Sequence, residues 1–289
     1  MKIKSALLNI IFALVFTCCL LPSKSSAQDS AYTRNIINAL TSKYCGGRGY
    51  VNDGDQRAAF YINSLFKEFK LHSFSDGYFQ RFSFDVNTFP GAMKLQFDKR
   101  KLKPGIDFIV SPESKGIKGR YKVILLNDLI SFNSDSVKDK VVVIDKSRFK
   151  DDPVQSLGLK NWKQKSYGSA AVVFLEEKKL TWSVSSKIAG RTEIQMLRNA
   201  MPQNVNYCYL NIEQKLVEQH QTQNVIGYVK GQIADSFIVL TAHYDHLGFM
   251  GSKTYFPGAN DNASGTSMLI NLARYYSEQK ETPKYSIRS

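Results

Sequence analysis

Two histidines and two aspartates occur within one short segment of this sequence, and that segment constrains the fold more than any other feature. It reads His-Tyr-Asp-His-Leu-Gly at residues 243–248 and Pro-Gly-Ala-Asn-Asp-Asn-Ala-Ser-Gly at residues 257–265. The apolar run before it, residues 237–242, predicts a buried strand. A helix is predicted over residues 264–276, with an apolar face made of Met268, Leu269, Leu272, Ala273 and Tyr276. The segment is therefore expected where a strand ends and a helix begins, the usual place for ligand sites in open α/β sheets.

The side chains of this polar segment (residues 243–265) are of the types that bind divalent metal ions. His243 offers an imidazole nitrogen and Asp261 offers two oxygens that can bridge a pair of cations, which favours zinc or a similar ion. Asp245 lies two residues after His243, on the same side of an extended backbone, so it is better placed to support the site than to bind metal. A lone His-x-Asp after a strand is common, and the joint pattern is what indicates a metal site.

At these residues the sequence resembles the M28 family of zinc peptidases, which includes secreted aminopeptidases. The resemblance implies that His243 binds one zinc, that Asp261 bridges two zincs and that Asp245 supports catalysis. It also implies a cis peptide bond between Asp261 and Asn262. The implied fold is a three-layer α/β/α sandwich around a mixed sheet.

The resemblance further implies residues that this sequence does not contain. The family continues into a Glu-Glu pair, in which the first Glu is the general base and the second a zinc ligand, and later into an Asp and a His that complete the metal shells. Here the acidic residues after Asp261 are Glu278 and Glu281, and no histidine follows. The sequence is therefore expected to be a truncated member, inactive as it stands.

The implied activity is hydrolysis of N-terminal residues from peptides. In the family two zincs activate a water molecule whose proton a glutamate accepts. His246 favours the peptidase branch, because the glutaminyl cyclases of the family typically have serine at this position. Two other hypotheses stay open: a secreted non-catalytic binding protein derived from such a peptidase, and a fragment or frameshifted gene product.

Residues 1–27 read as a cleavable secretory signal. Lys2 and Lys4 precede an apolar run over residues 6–21, and Ser-Ser-Ala at residues 25–27 is a small-residue cleavage site. The apolar run is near the short limit for a membrane span and ends in Pro22, so cleavage after Ala27 is the favoured interpretation. A secreted or periplasmic protein without a remaining membrane span is expected.

The rest of the chain is predicted to form three parts. Residues 28–99 read as the N-terminal part of the peptidase domain, with two helices separated by the Gly-Gly-Arg-Gly-Tyr loop at residues 46–50, and then a strand. Residues 100–217 are predicted to form a β-rich insert, because residues 139–144 and 168–174 resemble a protease-associated domain. The resemblance to the family implies a non-catalytic role for such an insert. The alternative is that residues 100–217 form a further part of one α/β domain. Residues 218–289 read as the first part of the catalytic domain.

Charge and cysteine content restrict the other functions. The formal net charge is +14, and removal of residues 1–27 takes away three lysines and no acid, leaving +11. The positive charge is dispersed along the sequence. Nucleic-acid binding would require an aromatic-lined basic face or a known motif, so no nucleic-acid partner is predicted. Attraction to acidic surfaces is expected.

After signal cleavage two cysteines remain, Cys45 and Cys208. Two buried thiols are favoured over a disulfide, and the disulfide stays open as an alternative.

Overall fold

The computed structural model describes residues 29–74, 77–165 and 167–289, so the predicted signal peptide lies outside the described residues. The helices are α1 (Ser30–Leu40), α2 (Gly54–Glu68), α3 (Ser134–Val137), α4 (Pro153–Gln164) and α5 (Ser264–Glu278). The strands are β1 (Phe79–Thr88), β2 (Met93–Phe97), β3 (Arg100–Lys101), β4 (Phe108–Val110), β5 (Ile117–Leu125), β6 (Val141–Asp145), β7 (Ala171–Glu176), β8 (Thr192–Leu197), β9 (Tyr207–Ile212), β10 (Lys215–Val225), β11 (Tyr228–Val229), β12 (Ile233–Val239), β13 (Gly248–Met250), β14 (Thr254–Phe256) and β15 (Tyr285–Arg288).

The described strands form one large sheet and three small ones. The large sheet has the order β3-β2-β9-β5-β6-β7-β8-β4, and the others are β11-β15-β12, β1-β10 and β13-β14. In the large sheet β5 to β8 are parallel, while β2, β9 and β5 pair antiparallel. This mixture of helices with parallel and antiparallel strands agrees with the predicted α/β class.

The large sheet is packed on both faces along its centre. Every residue of β6 is buried. Val141 and Val143 point into one hydrophobic cluster, whereas Val142 and Ile144 point into a second cluster that contains Trp162 of α4. Burial on both faces is why this strand reads as a continuous Val/Ile run rather than as an alternating pattern. The large sheet begins in β2, before the predicted insert boundary at residue 100, and the likeness of this region to a protease-associated domain stays a prediction.

A separate helical core lies on the other side of the molecule. Ile36 and Leu40 of α1, Ile62 and Phe66 of α2, and Ile270 of α5 form its centre. The two predicted N-terminal helices are thus confirmed, and their apolar residues at helical spacing are the buried ones. The long antiparallel β1-β10 ribbon connects this core to the large sheet.

The β13-β14 hairpin connects the polar segment to the large sheet. Met250 of β13 is fully buried in the first hydrophobic cluster. The backbone N–H of Gly251 donates to the carbonyl oxygen of Phe89 at 2.7 Å, at the end of β1. The polar segment therefore lies between the helical core and the large sheet.

One sequence prediction in this region was wrong, and a second was only partly right. The strand before the polar segment is not buried: Phe237, Ile238 and Val239 are 38%, 47% and 54% exposed, because β12 pairs only with β15 among the described strands. The helix after it buries only part of the predicted face: Ala273 is buried and Leu269 packs against the helical core, whereas the other predicted residues are not fully buried. The buried residues of α5 are Thr266, Ser267, Ile270, Asn271 and Ala273. They face α1 and the polar segment, where hydroxyl and amide groups have hydrogen-bond partners, so the contacting face is more polar than an apolar pattern predicts.

None of the described helices is both long enough and apolar enough to cross a membrane. The longest, α2 and α5, have 15 residues each, whereas a bilayer needs about 20 apolar residues.

The two cysteines are predicted to remain unreactive thiols in the folded protein. Cys45 and Cys208 are both free, with 2% and 0% exposure. Burial raises the pKa of Cys45 and raises that of Cys208 to about 12, so little thiolate forms near neutral pH. Iodoacetamide should therefore label neither residue in native protein 28–289 and both in denaturant. Absence of labelling in denaturant without reductant would indicate a disulfide and contradict this structure.

Candidate metal centre

A buried arginine, Arg48, links the N-terminal loop to both halves of the polar segment. Its exposure is 0%, and its guanidinium group donates hydrogen bonds to backbone carbonyl oxygens only. The acceptors are Leu40, Tyr244, Pro257, Gly258 and Asp261, at 2.6 to 3.2 Å. Its own carbonyl oxygen accepts from the backbone N–H of His246 at 3.0 Å. Burial lowers the pKa of Arg48, and the five carbonyl dipoles solvate a charge that has no ion-pair partner among the described residues.

The loop that carries Arg48 can approach the polar segment only because glycines face each other there. A Cβ atom on Gly49 would lie 2.3 Å from the Cα atom of Gly248. Gly248 also has a φ of +69°, in the left-handed region that glycine adopts at no steric cost. The backbones touch directly, and a side chain at either position would push Arg48 away from its acceptors.

The two predicted metal ligands lie side by side. His243 Nε2 is 3.3 Å from Asp261 Oδ1, and both side chains are open to solvent. Two ligand atoms bound to one tetrahedral zinc, at about 2.0 to 2.2 Å each, are about 3.4 Å apart. The separation thus suits two donors of a single ion, and imidazole nitrogen with carboxylate oxygen is a donor pair that zinc prefers.

Helix α5 holds the backbone of His243 in place. The carbonyl oxygen of His243 accepts from the hydroxyl of Thr266 at 3.0 Å and from the side-chain amide of Asn262 at 3.4 Å. Asn262 Oδ1 in turn accepts from the backbone N–H of Gly265 at 3.2 Å, which caps the first turn of the helix. The Asp261–Asn262 peptide is cis, as the resemblance implied. Asp261 itself lies just before the helix, where the positive end of its dipole favours a carboxylate.

Asp245 contacts the other ring nitrogen of His243. His243 Nδ1 is 3.2 Å from the backbone oxygen of Asp245 and 3.5 Å from its Oδ1. The hydroxyl of Tyr50 donates to Asp245 Oδ2 at 2.7 Å. Burial raises the pKa of Tyr50, as does the nearby Asp245, so its hydroxyl stays protonated as a donor. In this arrangement a proton on His243 Nδ1 points to Asp245, which leaves the Nε2 lone pair free on the side of Asp261.

A buried carboxylate, Asp55, lies behind Tyr50. The rings of Tyr50 and His220 meet edge to face at 5.3 Å, and His220 Nε2 is 2.9 Å from Asp55 Oδ2. The hydroxyl of Thr222 donates to the same oxygen at 2.9 Å. Asp55, at the start of α2, is fully buried. His220 is a core residue that supports Tyr50, and no spacing in the sequence indicates that contact.

His246 lies on the far side of Asp261. Its Nδ1 is 3.7 Å from Asp261 Oδ2, and its side chain is 11% exposed. Burial, with the charge of Arg48, lowers the pKa of His246, so the ring is neutral at pH 7. Within the described residues no group of three or more His, Cys, Asp or Glu side chains is arranged to hold a metal ion. The site described here is therefore the His243–Asp261 pair with supporting groups around it.

A cavity of about 520 Å³ opens beside these residues. Tyr50, Phe84, Leu269, His243 and Asp245 are among the residues that line it. It combines aromatic and apolar walls with the polar groups of the candidate centre, which is the usual composition of a small-molecule or peptide pocket.

Comparison with known proteins assigns the polar segment to a family. Residues 224–289 match the model of peptidase family M28. Aminopeptidase YwaD of Bacillus subtilis (strain 168) is 39% identical over 62 residues, which cover 21% of this chain and 12% of YwaD.

Solved structures resemble almost the whole described chain. A zinc aminopeptidase from Bacillus subtilis has a TM-score of 0.61 at 18% identity, covering 90% of this chain and 60% of that protein. A peptidase M28 precursor from Shewanella amazonensis SB2B has a TM-score of 0.62 at 15% identity, covering 91% of this chain and 63% of the other. At these identities the likeness shows the fold alone, and it confirms the predicted α/β fold class. The chain spans about three fifths of the length of these two structures.

Replacement of Arg48 by lysine is predicted to destabilise the protein. A single ammonium group cannot reach five acceptors, and buried carbonyls without partners cost about 1–3 kcal/mol each, so the free energy of unfolding should fall by about 3 kcal/mol or more. Arg57→Lys is the matched control, because Arg57 donates to the carbonyl of Tyr44 at the surface. It should change stability by less than about 0.5 kcal/mol. Equal effects of the two substitutions in urea denaturation would contradict the role of Arg48.

Proposed function

Because this chain is a member of peptidase family M28, we propose that it provides zinc ligands for the hydrolysis of N-terminal residues from peptides. The observation that supports the proposal most directly is the separation of 3.3 Å between His243 Nε2 and Asp261 Oδ1. A donor pair at this distance, open to solvent beside a cavity, suits a metal centre that substrate has to reach.

His243 and Asp261 would hold the ion, and the second oxygen of Asp261 would be free for another. Its Oδ2 atom lies 3.7 Å from His246 Nδ1, too far for a hydrogen bond, which suits the bridging role that the family resemblance implies for Asp261. Zinc bound there supplies Lewis acidity toward a peptide carbonyl group. The solved zinc aminopeptidase from Bacillus subtilis supports the choice of metal.

Asp245 would orient His243 rather than bind metal. Its contact with Nδ1 keeps the proton on that nitrogen and directs Nε2 toward Asp261. Tyr50 holds the Asp245 carboxylate through the hydrogen bond of 2.7 Å, so the orientation of the metal ligand depends on a residue of the N-terminal loop.

The peptide substrate would enter the cavity beside His243. Phe84 and Leu269 give that cavity apolar walls close to Tyr50 and Asp245. We place the reaction outside the cytoplasm, on the signal-like composition of residues 1–27. The β-rich region over residues 100–217 would serve, as in protease-associated inserts, to cover the cleft or hold substrate.

Zinc titration calorimetry on residues 28–289 tests the ligand assignment. His243→Ala and Asp261→Asn should each weaken zinc binding by about 100-fold or more, because each removes one of two converging donors. His72→Ala is the control: His72 is exposed, and its ring packs on Tyr228, 5.3 Å away between centroids, so zinc affinity should stay within twofold. Unchanged affinity in the His243 and Asp261 variants would refute the assignment.

Asp245→Asn tests whether Asp245 orients His243 or binds zinc itself. The amide keeps the size of the side chain but loses its charge, so zinc should still bind, with affinity lower by about 10- to 100-fold. Loss as complete as in His243→Ala would mean that Asp245 is a ligand, and no loss would mean that it does not orient His243.

A further inference from the structure

One half of the outer face of the large sheet carries an array of basic side chains. In β2, β5 and β9 alternate residues point into the hydrophobic core, among them Leu95, Tyr121 and Leu210. The residues between them point outward. We call these outward residues and their neighbour on β3 the basic face: Lys94, Lys101, Lys118, Arg120, Lys122, Tyr207 and Tyr209, with Gln96 and the largely buried Asn211 between them.

This half of the sheet is uncovered because the helices lie over the other half. Helix α4 and its neighbours pack on β6 and β7 through the cluster that contains Trp162. Along β5 the outward residues change from exposed Lys118, Arg120 and Lys122 to Ile124, which packs against that cluster. The change occurs where the helical cover begins, so the basic face is the part of the sheet that faces solvent.

The charges are spread in two dimensions. Lys94 on β2 and Lys118 on β5 are both directly opposite Asn211 on β9, on its two sides. Strands are about 4.8 Å apart and successive outward residues about 6.7 Å apart, so the cations flank a central row of tyrosines over an area of about 15 Å by 15 Å. Lys101 extends the array at β3.

The basic face has no acidic residue among its outward positions on the described strands. The carboxylates at its margins already bind backbone: Asp98 accepts from the N–H groups of Asn206 and Tyr207, and Glu213 accepts from that of Ala92. Like charges next to each other on one face of a sheet destabilise it. Solvent exposure alone would favour a mixture of positive and negative side chains, and this face carries positive ones only.

The central tyrosines keep the face flat and partly apolar. The guanidinium carbon of Arg120 lies 4.3 Å from the ring centroid of Tyr207, so this cation lies against the sheet. Tyr209 is 36% exposed and presents its ring between the flanking cations. Phenol rings of this kind favour the boundary between water and lipid, and lysine stems spread over apolar surface while their charges reach outward.

We propose that the basic face binds peripherally to the surface of an anionic lipid bilayer. A plane of anionic headgroups matches a flat, two-dimensional array of cations, whereas a linear polyanion would need a groove or a single line of charge. Each cation at an anionic bilayer contributes about a fivefold increase in affinity. This surface lies on β2, β3, β5 and β9 and uses none of the residues of the metal centre, so it does not depend on the proposed peptidase function.

The test is co-sedimentation of residues 28–289 with vesicles of phosphatidylglycerol and phosphatidylcholine, against vesicles of phosphatidylcholine alone. The protein should bind the anionic vesicles, more weakly at higher salt. Lys118→Gln/Lys122→Gln should lower the partition coefficient by about 30-fold. Lys94→Gln/Lys101→Gln, on other strands, should do the same and serves if the first variant fails to fold.

The matched control is Lys160→Gln/Lys280→Gln, which removes the same charge from exposed positions on α4 and after α5. It should change binding by less than about threefold. Equal loss in the control would show that net charge alone drives binding, and equal binding to neutral vesicles would exclude headgroup recognition. Complete displacement by heparin or a single-stranded oligonucleotide at stoichiometric concentration would identify a soluble polyanion as the partner. Each of these three results would overturn the proposal.

Discussion

The burial of the Arg48 guanidinium is the interaction on which the candidate centre depends. A buried cation is tolerated only if its donors are satisfied, and here carbonyl groups of Leu40, Tyr244 and Pro257 are among those that satisfy them. These acceptors come from the end of α1 and from both halves of the polar segment. Removing any one segment would leave part of the buried guanidinium group without hydrogen-bond acceptors. The loops that carry His243 and Asp261 are therefore held in register by one side chain from a distant loop.

The same loop also determines the orientation of His243. Tyr50, two residues after Arg48, binds Asp245, and Asp245 contacts His243 Nδ1. Behind Tyr50 the buried Asp55–His220 pair packs against its ring. Structural and chemical roles thus divide between neighbours: Arg48 positions the backbone of the polar segment, and Tyr50 positions the side chain that directs the metal ligand.

Local patterns in the sequence were sufficient for most of the helices and strands. Helices α1 and α2 follow from apolar residues at helical spacing, and β6 follows from its Val/Ile run. His243 and Asp261 were predicted to bind metal from their residue types and their position between a strand and a helix, and the family resemblance implied that they share a zinc; zinc binding itself stays a prediction. The structure brings them to 3.3 Å. All these predictions use information from neighbouring residues in the chain.

What could not be predicted depends on contacts between distant residues. Tyr50 and Asp245 are 195 positions apart, and Asp55 and His220 are 165 apart, so no spacing rule connects them. The exposure of β12 depends on which strands pair with it, and the buried polar face of α5 depends on what packs against it. The basic face needed the register of β2, β9 and β5, because the lysines are dispersed along the sequence and come together only across the sheet.

X-ray absorption at the zinc edge of metal-loaded protein 28–289 tests whether His243 and Asp261 bind the same ion. We expect scattering from one imidazole nitrogen and from carboxylate oxygen at about 2.0–2.2 Å, with the imidazole signal lost in His243→Ala. Sulfur scattering at about 2.3 Å would place zinc at Cys45 or Cys208. A spectrum unchanged by His243→Ala would show that the metal binds elsewhere. Either of these two results would contradict the assignment of His243 and Asp261 as ligands of one ion.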